Sequence, residues 1–458
     1  MIRKAVILVG DVPADARRQR DGMMPLLGGR QSLLPWIAGA GLLAVAVAVL
    51  AGSFQDYAAY VIEWHRLHVG ADPYAGDPVN AYGPLFNLLA AVSLLHPLAP
   101  KLLFVMIWLG VIVWLVGRAA RTATERSAPP WLVAAFLLGP WFWIEIPGMG
   151  HFDVMVAALC LVAVHLAERD RLDGAAALLA AAFLLKLLPI LLLPVLALGS
   201  ASSARRTRAV AVFATVAVVG FGLAYLAWGS SAFTPFVFGD GRPSSGFSVW
   251  RALRGDTAVL GPLVGLHNLD GLSAPILLLS VGATAAFLER TRASVAASAL
   301  LLGVVSLAFL KLGHSQFFTT PAFLAAYFAI DRWRSLDARL RIALAVYFAW
   351  LTLHAVMYAA SGGLVSPAWA GWVHFAASGF LVVELGRHIA EACRARQVSF
   401  GAGVRGGILL VREARPLQPV PVVVRARREG EILLHAANWH HSSGAVVPHD
   451  MPSRPEIP

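Results

Sequence analysis

Runs of about 17 to 25 nearly uncharged residues recur along this chain from Leu33 onward, separated by short polar clusters. That pattern constrains the fold more than anything else in the sequence. A helix of this length crosses the roughly 30 Å hydrocarbon core, and only a helix or a closed barrel satisfies its own backbone there. Only 14% of the 458 residues are charged and 58% are hydrophobic, whereas a soluble domain carries about 25% charge. The expected fold class is therefore all-α, a polytopic helical membrane protein.

The basic residues set the topology. The formal net charge of +11 sits in short clusters between apolar runs and in the C-terminal segment, the distribution that the positive-inside bias produces. It argues for contact with membrane lipids and against a nucleic-acid partner. Arg3, Lys4, Arg17, Arg18, Arg20 and Arg30 place residues 1–32 in the cytoplasm, and a first helix from about Leu33 to Gly52 carries the chain across. That helix has no small-residue cleavage site before it and is read as an uncleaved anchor. Alternating the later basic clusters, among them Arg118, Arg121 and Arg126, gives about twelve membrane helices over residues 33–386. The run 174–199 counts as two short helices meeting near Lys186. Residues 387–458 read as a cytoplasmic, mostly disordered basic tail, so both termini are expected inside a bacterial plasma membrane. Cys160 and Cys393 lie far apart, and no zinc spacing exists.

The first extracytoplasmic loop, residues 53–99, is unusually polar. Tyr57, Tyr60, Val61, Trp64 and Leu67 recur at helical spacing and predict an amphipathic interfacial helix, after which Asp72-Pro73, Asp77-Pro78 and Gly83-Pro84 break the chain. Pro84 to Leu95 is too short for a comfortable crossing and reads as a second interfacial helix.

Ionisable groups converge on this side: Asp56, Glu63, Asp72, Asp77, His151, Asp153, Lys186, Arg242, Arg251, Arg254, Lys311 and His314, with Tyr82. Each has a plain alternative. Asp56 could cap the helix that follows, and Asp153 could complement a helix dipole. Lys186, flanked by apolar residues, must snorkel, pair or bind an anion. Arg251 and Arg254 match phosphate oxygens or lie on headgroups, and Lys311 with His314 repeats the theme at another helix junction. Taken together, one carboxylate, several cations and a lipid-facing mouth suit a base that takes a proton from a hydroxyl while cations stabilise a departing phosphate. No Gly-rich nucleotide loop is present.

Three patterns in order give the sequence a family resemblance. Asp56-Tyr57 with Tyr60, Gly70-Ala71-Asp72-Pro73-Tyr74 and Tyr82-Gly83-Pro84-Leu85-Phe86 come first, then Gly150-His151-Phe152-Asp153, then Leu185-Lys186-Leu187-Leu188-Pro189. Over residues 50 to 200 the chain resembles the GT-C integral-membrane glycosyltransferases, closest to the family 87 polyprenyl-phosphate-mannose-dependent mannosyltransferases. It departs at Gly83, where that family usually has proline. The resemblance implies transfer of a sugar, mannose first, from a polyprenyl-phosphate donor to a glycolipid or glycan acceptor on the extracytoplasmic side, with inversion. Asp56 matches the family's catalytic carboxylate, with His314 beside it as a second catalytic candidate. Lys186, Arg251, Arg254 and Lys311 become candidates for the donor phosphate, and Tyr57, Tyr60, Tyr82, His151 and Asp153 for the substrate cavity. No cofactor is implied and no metal ligand set is assigned, although Asp72 and Asp77 leave room for a divalent cation. A transporter or flippase of lipid-linked saccharides is the rival reading; it predicts internal repeats and a polar path through the bilayer, neither of which is evident.

Overall fold

A computed structural model describes residues 27–54, 56–122, 127–198, 202–239, 242–254, 269–361, 367, 369–402, 408–411 and 422–425. The N-terminal arginines before Arg30, Arg126 and most of the tail lie outside the described residues. The described residues are mostly helical. Helix α1 (Leu27–Ala51) leads into α2 (Asp56–His68), a 3₁₀ turn (Pro84–Leu88), α3 (Leu89–Ser93) and α4 (Ala99–Arg121). Next come α5 (Pro130–Leu137), α6 (Pro140–Trp143) running into a π turn (Ile144–Gly148), α7 (Asp153–Glu168) and α8 (Leu172–Leu185). A 3₁₀ turn (Leu188–Leu192), α9 (Leu193–Leu198), α10 (Ser203–Trp228), α11 (Thr234–Val237), a two-residue strand β1 (Ser245–Gly246) and α12 (Val249–Leu253) follow. The rest is α13 (Ser273–Thr291), α14 (Val295–Ala308), β2 (Leu312–Gly313), α15 (Thr319–Ile330), α16 (Ala338–Ala360) and α17 (Ala370–Ala402).

Among the described residues five helices are long and apolar enough to cross a membrane, or six if α5 and the α6–π segment, bent by 42°, form one span. By length and composition the expected twelve crossings are therefore not confirmed among the described residues. The physical reason is burial inside protein. Helices α7, α8, α14 and α15 have 16, 14, 14 and 12 residues, yet α14 is buried at every position from Ala296 to Ala308. A helix enclosed by other helices can stop short of the bilayer thickness, because its ends open onto protein rather than lipid. These short helices pack on one another at the centre of the bundle, and the span-length α1, α10 and α13 keep most of their surface outward.

The amphipathic helix expected over Tyr57 to His68 is α2, which buries Tyr57, Tyr60, Glu63 and Trp64. The proline-led segment after Gly83 is short, as its length predicts. The apolar run 174–199 is broken at Lys186, whose backbone is extended between α8 and the 3₁₀ turn that opens with Leu188-Pro189. Helix α17 continues to Ala402 and so runs through residue 387, where the tail was expected to begin. The chain forms two compact units divided between Cys393 and Arg394. In the second, β3 (Ile408–Val411) pairs antiparallel with β4 (Val422–Arg425). Cys160 and Cys393 are free thiols.

One close approach ties distant segments together. Strand β1 lies parallel to β2, with Ser245 opposite Leu312 and Gly246 opposite Gly313. Gly246 has φ +63°, and a Cβ there would lie 1.7 Å from the Gly313 carbonyl oxygen, so only glycine lets the chains cross. The substitution Gly246→Ala combines a left-handed backbone with a backbone clash, and a cost of about 3 kcal/mol follows. Thermal unfolding of the purified protein in detergent should show a markedly lowered midpoint; an unchanged one contradicts this reading of the crossing.

Candidate active site

Four interruptions in the helical bundle meet at one place. Asp56 opens α2, the π turn and the bend after it carry Glu145, His151 and Asp153, and the break after α8 carries Lys186. The turn after β2 carries His314, Gln316 and Phe317. Local sequence explains each interruption. Pro147 sits within the π turn, Gly150 takes a left-handed backbone, and Pro189 follows Lys186 at the first turn of a new helix.

His151 is the hub. Its Nδ1 lies 2.7 Å from Glu145 Oε2 and its Nε2 lies 3.5 Å from Asp56 Oδ2. The Gln316 amide donates to the same Oδ2 at 3.3 Å. The Glu145 and His151 side chains are 1% and 6% exposed, whereas that of Asp56 is 44% exposed. Asp56 is thus the open member of a buried line of three groups. Burial alone would raise its carboxyl, but the hydrogen bond and charge of His151, with His314 and Lys186 beyond, hold it down at about 2. Burial works against the His151 imidazolium too, but Asp56 and Glu145 outweigh it and raise the ring to about 10. Burial pushes His314 below its ordinary value. The carboxylate is ionised and ready to receive a proton throughout the neutral range.

Lys186 and Asp153 form the second pair. Nζ donates to Asp153 Oδ1 at 2.6 Å, with both side chains nearly inaccessible at 10% and 5%. Nζ also lies 4.1 Å from the Phe317 ring centroid and 5.3 Å from that of Phe152. A small cavity opens beside the pair, lined by Leu188, Pro189, Ser306, Phe317 and Thr320. The Asp153 Oδ2 and Ser306 Oγ atoms are buried with no hydrogen-bond partner among the described residues.

The remaining predicted residues divide. Tyr60 and Tyr82 stand under the site in an aromatic cluster with Phe86 and Phe152, their hydroxyls 3.5 Å apart. Tyr57, expected at the cavity, lays its ring beside Gly150, and its hydroxyl donates to Pro97 O at 2.6 Å and accepts from Lys101 N at 3.2 Å. His314 lies 3.3 Å from Ser245 Oγ, so the β1–β2 crossing fixes it. Arg251 donates to Gly246 O at 3.2 Å, next to that contact. Arg254 faces Asp270 at 3.8 Å, Lys311 donates to Gly239 O at 3.2 Å, and Arg242 covers the Phe238 ring. Asp72 accepts from its own turn at Tyr74 N, and the carbonyl of Asp77 accepts from Arg66. Among the described residues no group of three or more His, Cys, Asp or Glu is placed to hold a metal ion.

Gly83 explains its own departure from the expected proline. Its N–H donates to Leu185 O at 3.0 Å, and a Cβ would lie 2.2 Å from Leu184 O. The loop therefore docks on the end of α8 just before Lys186, where proline would lack both the donor and the room.

Sequence reading did not single out Glu145, Gln316 or Lys101. Glu145 carried a usable signal, since a lone carboxylate in the apolar run WFWIEIPG needs a partner. Lys101 proves structural: Nζ donates to Gly52 O and Gly148 O at 2.8 Å each, tying the end of α1 to the π turn.

The family model for glycosyltransferase family 87 matches residues 80–313, just over half of the chain. No curated protein matches the chain. The matched span includes Glu145, His151, Asp153 and Lys186, while Asp56 precedes it and His314 follows it by one residue.

Lys186→Met leaves Asp153 as an unpaired buried carboxylate and should destabilise the protein by about 3–5 kcal/mol, whereas Lys186→Met with Asp153→Leu should recover much of that loss. Thermal unfolding of the two variants checks it; a double variant no more stable than the single one contradicts the pairing.

Proposed function

The chain belongs to glycosyltransferase family 87, and on that premise we propose that it transfers mannose from a polyprenyl-phosphate donor to a lipid- or glycan-linked acceptor on the extracytoplasmic side of the membrane, with inversion. The enzyme class follows from the family; the donor, acceptor and stereochemistry are our reading of the site.

The observation that carries the reading is the company Asp56 keeps. An exposed, ionised carboxylate stands at the rim of a buried cluster containing His151, Lys186 and His314. In the proposed step the acceptor hydroxyl attacks the anomeric carbon and gives its proton to Asp56 Oδ1. The new C–O bond forms as the bond from the anomeric carbon to the phosphate oxygen breaks, and that electron pair leaves with polyprenyl phosphate. A carboxylate of low basicity takes the proton late, once bonding to carbon has made the hydroxyl acidic. The departing phosphate gains charge; the buried Lys186 ammonium supplies the complementary charge, and His314, neutral where burial lowers it, can offer a ring N–H.

Asp153 holds Lys186 in place, so the lysine is fixed before the donor arrives. The apolar walls beside it, at Leu188, Pro189 and Phe317, suit the first segment of a lipid tail. Arg251 and Lys311 sit next to the His314 crossing and can extend the phosphate field without lying in the first contact.

The test is transfer from radiolabelled polyprenyl-phosphate mannose, glucose and arabinose to a bacterial membrane-lipid extract by purified protein. Mannose transfer by the wild type is expected, with Asp56→Asn slower by at least about 100-fold and eluting as a folded monodisperse protein. Activity of that variant within a few-fold of wild type removes Asp56 as the base, and transfer of another sugar overturns the donor assignment.

A further inference from the structure

Glu145 has no part in the chemistry just proposed, yet it is among the most deeply placed charges in the bundle. Its side chain is 1% exposed inside a π turn of otherwise apolar residues. One oxygen meets His151 Nδ1 at 2.7 Å, and the other, Oε1, is buried without a hydrogen-bond partner among the described residues. Such a group is costly to keep unless its placement serves something.

The placement is over-determined. The His151 N–H donates to the Glu145 carbonyl at 3.0 Å, so backbone and side chain both join the two residues. Lys101 fastens Gly148 in the same π turn to Gly52 at the end of α1, close before Asp56 in the chain. Both short contacts to Asp56, from His151 Nε2 and from Gln316 Nε2, fall on Oδ2. Oδ1 takes no hydrogen bond or ion pair among the described residues.

We infer that Glu145 is a positioning residue for glycosyl transfer: by holding His151 Nδ1–H it keeps Nε2–H aimed at Asp56 Oδ2, so that Oδ1 is presented to the acceptor hydroxyl. The inference rests on Asp56 being the base. His151 is faced by Asp56 on α2 and Glu145 in the π turn, with His314 after β2 in electrostatic reach; Lys101 on α4 packs beside the adjoining Gly150, and Lys186 after α8 and Asp153 on α7 act on His314. Glu145 is the one whose removal strips a carboxylate from His151 without touching substrate.

The sign of the pH effect follows. With both carboxylates present His151 holds its proton up to about 10, and both ring nitrogens are donors. Glu145→Gln removes one negative charge, so the ring loses its proton at lower pH. The glutamine carbonyl then retains the Nδ1–H, leaving a bare Nε2 lone pair against the Asp56 carboxylate.

The experiment is the pH profile of mannose transfer by full-length protein, from pH 6 to 10, with wild type, Glu145→Gln, His151→Gln and Asp56→Asn. Glu145→Gln should lose at least about ten-fold in kcat at pH 8 with the donor KM within about two-fold. Its alkaline limb should move down by about three pH units, to about pH 7, and activity should recover toward pH 6. His151→Gln, whose amide donates at any pH, should show no limb between pH 7 and 10. Should Glu145→Gln not fold, that His151→Gln profile carries the test alone. A Glu145→Gln profile matching wild type, or an unmoved limb in His151→Gln, overturns the positioning role while an inactive Asp56→Asn leaves the base in place. An active Asp56→Asn removes the base itself. Independently of turnover, nitrogen-15 resonances of labelled histidine should show His151 protonated at pH 8 in wild type and neutral in Glu145→Gln; a neutral wild-type ring overturns the inference.

Discussion

A charged side chain in a lipid-solvated bundle must find a partner, and the form of this site follows from that constraint. The chain has few charges to distribute, and it places several of them at the ends of interrupted helices. There they meet in two buried sets. Lys186 is answered by Asp153, and His151 is answered by Glu145 and Asp56. Each member answers the charge or hydrogen bond of another, so the helix breaks that deliver them are constrained together.

The interruptions are what make the site a site. An uninterrupted helix buries its backbone polar groups and offers only side chains along a stripe. Here a π turn, an extended residue and two crossing strands of two residues each turn their charges toward one point. Gly83 and Gly246 allow the segments to approach at backbone distance, and Lys101 fixes the end of α1 against the π turn. The central helices are short because they terminate at this junction inside the protein. A cleft of about 350 Å³ between α5, α6, α15 and α16, lined by Phe136, Trp141, Phe348 and Arg341, shares none of the residues that hold Asp56.

Much of this was legible in the sequence, for physical reasons. Apolar run length gave the helical membrane class, and the spacing of Tyr57, Tyr60 and Trp64 gave α2 with its buried face. Lys186 stood out because nothing near it in sequence could neutralise it; its partner Asp153 comes from another helix, and no local pattern identifies such a pairing. Tyr57 shares its helical face with Tyr60, but its hydroxyl bonds to Pro97 O, forty residues on, a contact that no local pattern identifies. Glu145 was readable by the same rule as Lys186. The count of twelve crossings is not confirmed among the described residues, and hydropathy does not distinguish a helix bathed in lipid from one wrapped in other helices, of which α14 is the plainest instance.

The central claim is that the Asp56 cluster is the reaction centre, and a structure of the enzyme with bound polyprenyl phosphate tests it most directly. The account predicts the phosphate within hydrogen-bond reach of Lys186 or His314, with Asp56 Oδ1 open toward the space an acceptor would fill. A phosphate held instead in the cleft beside Arg341, away from Asp56, would contradict it.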